Sequence, residues 1–282
     1  MSDNEIDYNA ETFDIGRVIN RTFATVKRNF VGMFAVAGLI VGIPAFLVNF
    51  LPMFFVNGDI ETLLGDVEAN SGEMFGLVGA VAVVSVIAGL VILVATVVLQ
   101  GAITHASVKD FNGEPVDLRE SLRVGLRYFW PLVGFGILSA LGMALGLVLF
   151  IIPGIIFALM WMVGAPAIVI ENTGVSGAFD RSSALTRGSK WWLLLLAIIY
   201  YVISIIVAAI GQVFLIPLGI NEAFSPMMQN LAAPVALVYS VIQAIIQTMT
   251  TIIATVGVAS TYYELRYIKE GIGVEALASV FD

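Results

Sequence analysis

Five stretches of this sequence contain no Asp, Glu, Lys or Arg: 29–58, 74–108, 128–170, 191–221 and 223–263. Crossing a bilayer takes about 20 apolar residues, and 128–170 is roughly twice that length. Pro153-Gly154 inside it supplies a break, because proline donates no backbone hydrogen bond and glycine accepts turn geometry. The pattern predicts six spans, at 30–56, 75–105, 130–151, 155–171, 191–218 and 231–262. Composition agrees: 59% of residues are hydrophobic and 12% charged. That leaves too little polar surface for a water-soluble globule of this size.

The cations set the orientation. All thirteen Lys and Arg residues fall in four places: the N-terminal segment, the 109–127 connection, the 181–190 connection and the C-terminus. The connections 57–74, 152–154 and 219–230 hold none. Basic flanks stay on the cytoplasmic side, so both termini are expected inside. The first 29 residues carry five acids and no apolar core of a signal peptide, and the first span is expected to act as an uncleaved signal. The acidic 57–74 loop reads as a solvated linker, without the ligand spacing of a calcium loop.

The basic segments repeat a plan. Arg28, Arg127 and Lys190 each stand two residues before an aromatic, and Pro52, Pro153 and Pro217 follow them by 24, 26 and 27 residues. Asp14, Arg17, Arg21 and Arg28 share one helical face, with Ile15, Val18, Ile19, Phe23, Val26 and Phe30 mostly on another. Leu118, Leu122, Leu126 and Phe129 likewise oppose Glu120, Arg123 and Arg127. Such helices suit the plane of the membrane interface, with cations toward lipid phosphates. Ordinary positive-inside flanks with an aromatic belt fit the same residues, but the apolar periodicity exceeds what a flank requires. The expected fold is all-α: six transmembrane helices in three hairpins, each preceded by a cytoplasmic amphipathic helix, with pseudo-threefold symmetry. A tail (1–10) would precede one membrane domain (11–272, repeats at about 11–107, 114–171 and 174–263), followed by a tail at 273–282.

The stretch 153–196 contains Ala178-Phe179, Arg181-Ser182, Leu185-Thr186-Arg187-Gly188 and Trp191; the N-terminal segment holds Phe13-Asp14-Ile15-Gly16, and the last span ends with Tyr262-Tyr263-Glu264-Leu265-Arg266. In these features it resembles the membrane domain of some bacterial glycerophosphoryl diester phosphodiesterases and their stand-alone membrane relatives. The resemblance spans most of the chain and is specific around 178–192 and 261–271. It implies a membrane fold in the bacterial inner membrane. It carries over no catalytic residues, because the phosphodiesterase barrel of that family is a separate soluble domain.

Few residues suggest chemistry. The chain has no Cys and one His, which excludes thiolate and multi-His metal centres and implies no cofactor. His105 lacks an acidic partner within the charge-free windows and fits a satisfied interfacial histidine better than a proton relay. Tyr239, Gln243, Gln247 and Thr250/Thr251 share a face of the last span. Unpaired amides are costly in hydrocarbon, so that face is expected to turn inward toward Gln212 or Gln100. It would serve as interhelical glue or, alternatively, line a polar cavity. Gly38/Gly42 and Gly142/Gly146 are expected to pack helices within the bundle, and Pro44, Pro166 and Pro234 to kink spans one, four and six. Arg28, Arg127, Arg187 and Lys190, with Trp191 and Trp192, form a predicted basic rim for anionic headgroups or a partner's acidic surface. Dispersed cations argue against nucleic acid. The leading expectation is a non-enzymatic inner-membrane protein that organises lipids or scaffolds a partner. An uncoupled transporter or channel for a lipid or small solute ranks second. An enzyme ranks last, since no catalytic cluster is present.

Overall fold

A computed structural model describes residues 13–50, 71–215 and 233–271. Within them all regular structure is helical: α1 (Ile15–Arg28), α2 (Phe30–Ala37), a π-helical turn (Gly38–Gly42), α3 (Ile43–Phe50), α4 (Ser71–Phe111), α5 (Leu118–Arg127), α6 (Phe129–Leu149), α7 (Ile151–Met160), α8 (Gly164–Glu171), α9 (Gly174–Thr186), α10 (Lys190–Leu215) and α11 (Ala233–Glu270). Six stretches among the described residues are long and apolar enough to cross a membrane: Phe30–Phe50, Gly89–Phe111, Phe129–Leu149, Ile151–Glu171, Lys190–Phe214 and Pro234–Glu270. The chain has the build of a multi-pass membrane protein. The expected terminal tails, the 57–70 part of the acidic loop, Pro52 and Pro217 lie outside the described residues.

The spans that begin at Phe30, Phe129 and Lys190 are each separated from the helix before them by a short interruption. Asp14 caps α1 by accepting from the Arg17 N–H, and Asp117 caps α5 by accepting from Arg119 and Glu120. Asn29 and Tyr128 interrupt the helix before α2 and α6. Gly188, at φ 85°, breaks the chain before α10. The packing partners of these leading helices are distant in sequence or on the previous span: α1 lies on α11, α5 on α4 and α9 on α8. At the α5–α4 contact the two backbones touch. A Cβ on Gly125 would stand 2.3 Å from the Val98 carbonyl oxygen, and one on Gly101 2.9 Å from the Gly125 Cα.

Helix α11 is the hub, meeting α1, α2, the π turn, α3, α4, α8, α9 and α10. Every fourth residue along it is buried: Ala236, Ser240, Ala244, Thr248, Ile252, Val256, Ser260 and Glu264. An i, i+4 row is a natural packing ridge, and its small members admit close neighbours. Gly42 meets the Thr248 hydroxyl, and Gly257 faces the Tyr200 ring. This row corrects the inward face expected for Gln243 and Gln247. Gln247 is exposed and Gln243 and Tyr239 are half-buried. Each glutamine precedes a ridge residue by one position, which rotates it about 100° away. Small side chains, hydroxyls among them, and not the long amides occupy most of the interface because close backbone approach decides helix packing in lipid.

The breaks also fall where backbone groups can be satisfied. Phe150 alone, in extended conformation (φ −160°, ψ 145°), separates α6 from α7, so Pro153 and Gly154 belong to the first turn of α7 and not to the connecting turn. Gly146 meets the backbone of Gly154, and Gly142 meets the Trp161 ring, so α7 runs back along α6. The fourth span breaks at 161–163, and Pro166 sits in the first turn of α8 beyond the break, where its missing N–H is harmless. Pro44 follows the π turn, in which the Ile43 N–H bonds the Gly38 carbonyl, so the local widening absorbs the proline. Pro234 occupies the second residue of α11 and causes no kink there.

Buried apolar side chains gather near one end of the bundle, with Met33, Leu99, Ile168, Leu185, Leu193, Leu196 and Leu265 fully enclosed. Leu145, Val148, Leu149, Phe150 and Ile151 at the opposite end are largely exposed. An apolar surface of that extent needs a lipid environment.

The Gly101–Gly125 contact yields a direct test. Gly125→Leu should lower apparent stability by about 2–3 kcal/mol, as overpacking does where the obstructing atom is backbone. Thermal unfolding in detergent measures it. Gly136→Ala, where a Cβ meets nothing within 4 Å, should leave the transition unchanged or slightly raised.

Candidate functional site

The end bearing α1, α5 and α9 carries a layer of ion pairs. Glu264 is fully buried, yet its carboxylate is satisfied by α1. Arg17 Nε donates to Oε1 at 2.9 Å, with Nη2 2.8 Å from the same atom, and Arg21 Nη1 reaches Oε2 at 3.3 Å. Burying a carboxylate is tolerable only with such partners. The Arg21 guanidinium also lies 4.7 Å from the Tyr263 ring centre and 5.7 Å from that of Phe111. Behind this pair, Thr22 Oγ1 stands 2.7 Å from Tyr200 Oη and 3.1 Å from Ser260 Oγ.

A second cluster surrounds Glu171 at the end of α8. Arg181 of α9 donates Nε to Oε2 at 2.7 Å and Nη2 to Oε1 at 2.8 Å. Tyr262 Oη donates to Oε1 at 2.5 Å, and Arg266 Nε lies 3.5 Å away. Arg181 also pairs with Glu270, to which Arg266 Nε donates at 3.0 Å. Burial alone would lower the basicity of Arg181, but hydrogen bonds and attraction from Glu171 and Glu270 outweigh it and raise its pKa.

The third cluster holds Asp110, at the end of α4. It accepts from Thr25 Oγ1 (2.6 Å), Asn29 Nδ2 (2.9 Å), Arg28 Nε (2.8 Å) and Arg28 Nη2 (2.5 Å). The bond to Asp110 and its charge raise the Arg28 pKa. Nearby, Lys109 Nζ lies 2.8 Å from Glu120 Oε2. That hydrogen bond, ahead of the opposing effect of burial, holds Glu120 below the usual carboxylate range. His105 Nδ1 sits 3.2 Å from Ser121 Oγ.

The Arg181-Ser182…Thr186 motif has a structural task. Where α7 ends, the Met160 carbonyl lacks a helical partner. It accepts from Ser182 Oγ at 2.8 Å and Thr186 Oγ1 at 3.3 Å, while the Val163 N–H donates to Ser182 Oγ at 3.3 Å. The two hydroxyls of α9 thus dress the break in the fourth span.

The predicted rim is only partly free. Arg28 is engaged by Asp110, although its side chain is 60% exposed, and Arg17 and Arg21 turn inward to Glu264 rather than toward lipid. Arg127 is exposed, its guanidinium 5.7 Å from the Tyr128 ring centre. Arg187 is exposed, and its carbonyl accepts from Lys269 Nζ at 2.6 Å. Lys190 is half-buried, and Trp191 and Trp192 are exposed. Gln100 and Gln212 are half-buried on α4 and α10.

Sequence reasoning overlooked a signal for the ionic layer. Asp110, Glu171 and Glu264 are the first acids after the charge-free windows that end at 108, 170 and 263. It placed Arg123 and Arg127 on one face of α5 but did not join Arg119 to them. Arg119, Arg123 and Arg127 are exposed at four-residue spacing, beside the exposed Leu126 and Trp130. None of the three is within ion-pair distance of a carboxylate among the described residues.

Residues 139–265 match a family model described as a domain of unknown function, DUF7847. The matched stretch holds Glu171, Arg181 and Glu264 but neither α1 nor α5. No curated protein and no solved structure matches the chain.

Removing the Glu264 charge would leave Arg17 and Arg21 facing a neutral group. Both side chains keep contact with solvent, at 37% and 24% exposure. Glu264→Gln should therefore cost about 3 kcal/mol, the low end for breaking a buried pair. A melting curve for the detergent-solubilised variant that overlays wild type would remove the pair from its structural role.

Proposed function

We propose that the chain is a non-enzymatic inner-membrane protein that organises anionic lipid at its basic, cytoplasmic end. The supporting observation is the α5 arginine row. Arg17, Arg21, Arg28, Arg181 and Arg266 are drawn into the ionic layer, while Arg119, Arg123 and Arg127 remain on one exposed face with an apolar and aromatic border. Guanidinium groups beside Trp and Leu suit the headgroup boundary, where cations meet phosphates and indoles sit at the carbonyl level. Trp191 and Trp192, 83% and 49% exposed at the start of α10, suit the same depth.

In this reading each leading helix lies along the interface, each is followed by a helical hairpin, and three such units surround an axis along the membrane normal. Both termini face the cytoplasm, as the distribution of Lys and Arg favours. The resemblance to the membrane domain attached to phosphodiesterases is consistent with a chain that holds or gathers lipid while catalysis resides elsewhere.

Each basic side chain near an anionic surface contributes about 1 kcal/mol. Full-length protein purified from mixed phosphatidylcholine and phosphatidylglycerol micelles should retain phosphatidylglycerol in excess of its bulk share. The combined Arg119→Gln, Arg123→Gln and Arg127→Gln variant should lose most of that excess at low salt. Unchanged enrichment would overturn the reading.

A further inference from the structure

We infer that a groove between the α1–α2 joint and the start of α5 is a binding site for one anionic phospholipid, held by its phosphodiester. This assignment rests on the lipid-organising reading and gives it a specific site. The groove encloses about 300 Å³ and is lined on one side by Lys27, Arg28 and Phe30 and on the other by Val116 and Leu118. Its polar and apolar walls are ordered along the chain. Lys27 and Arg28 end the charged helix, whereas Phe30 begins the first apolar span. A ligand lying across the joint would place a charged group and a hydrocarbon segment side by side, as a phospholipid does at the level of its glycerol backbone.

Charge complementarity identifies the occupant. Asp110 uses Nε and Nη2 of Arg28, which leaves the Nη1 amino group without a partner among the described residues. The same carboxylate, fixed by Thr25 and Asn29 as well, holds the guanidinium in one orientation. Lys27 is exposed and has no ion pair among the described residues. Lys27, Arg28 and Asp110 together carry a net charge of about +1 at neutral pH, which matches a phosphodiester monoanion. Ammonium and guanidinium donors can share its two free oxygens. The apolar wall favours a lipid over a free anion: Val31 is 80% and Phe30 42% exposed. Gly32 makes the floor possible, since a Cβ there would stand 2.6 Å from Leu118 Cδ1.

Native mass spectrometry of the full chain, with phosphatidylglycerol titrated into detergent, tests the assignment. Wild type should bind one phosphatidylglycerol more tightly than the rest, and the triple α5 glutamine variant should keep it. Lys27→Glu, a surface change that spares the fold, should weaken that first site about tenfold or more, since it reverses a charge next to the phosphate. Lys27→Arg should retain it, and Val116→Trp should exclude it by filling the groove. Equal first-site affinity in Lys27→Glu and Val116→Trp would overturn the proposal even if the α5 row proved to attract lipid. Loss of the first site in the α5 variant alone would place it on that row instead. Displacement of the lipid by equimolar glycerol 3-phosphate would show a soluble anion site and overturn the lipid assignment.

Discussion

Everything at the basic end depends on a carboxylate that has no access to water. Glu264 is the last member of the buried ridge on α11, where the other residues are small or apolar. An isolated charge there would be prohibitive. Arg17 and Arg21 make it tolerable, and in doing so they fix α1 against the hub helix. The same solution recurs with different residues at Glu171 with Arg181 and at Asp110 with Arg28. At the α4–α5 contact the polarity is exchanged, the lysine on the span and the glutamate on the leading helix. Conjugate charges at helix ends let apolar spans stay apolar while their termini remain tied together.

This ionic layer redistributes the cations of the chain. A basic residue that counts toward orientation can be consumed by an internal carboxylate, as Arg17 and Arg21 are. Another can remain available to phosphates, as Arg123 is on the exposed face of α5. The positive-inside pattern counts both kinds alike. Their chemistry differs, because one kind satisfies protein and the other meets the surroundings.

The number and placement of the apolar spans could be read from charge-free windows, because a charge in hydrocarbon is too costly to be placed casually. The joints at Asn29 and Tyr128 could not, because Phe30 and Phe129 continue the apolar faces of the helices before them and the periodicity runs across the breaks. The lateral faces could not either. Gln243 and Gln247 suggested an inward polar stripe, but Ala244, Thr248 and Ser240 take the interface because neighbours approach closest over small residues. Pro153 and Pro166 suggested breaks at their own positions, whereas the interruptions fall at 150 and 161–163 and the prolines sit in the turns that follow. The value of Ser182 and Thr186 was hidden as well, since it lies in a carbonyl more than twenty residues earlier, at Met160. Pair identities of this kind need the third dimension.

Arg17 and Glu264 are 247 positions apart, and that separation has a temporal meaning. A chain emerging from the ribosome exposes its first helix long before the matching acid exists. Until the hub helix is made, Arg17 and Arg21 lack the carboxylate that they hold in the folded chain. Synthesis of the hub helix supplies the missing anion, so the clasp can close only after every segment between Arg17 and Glu264 has been made.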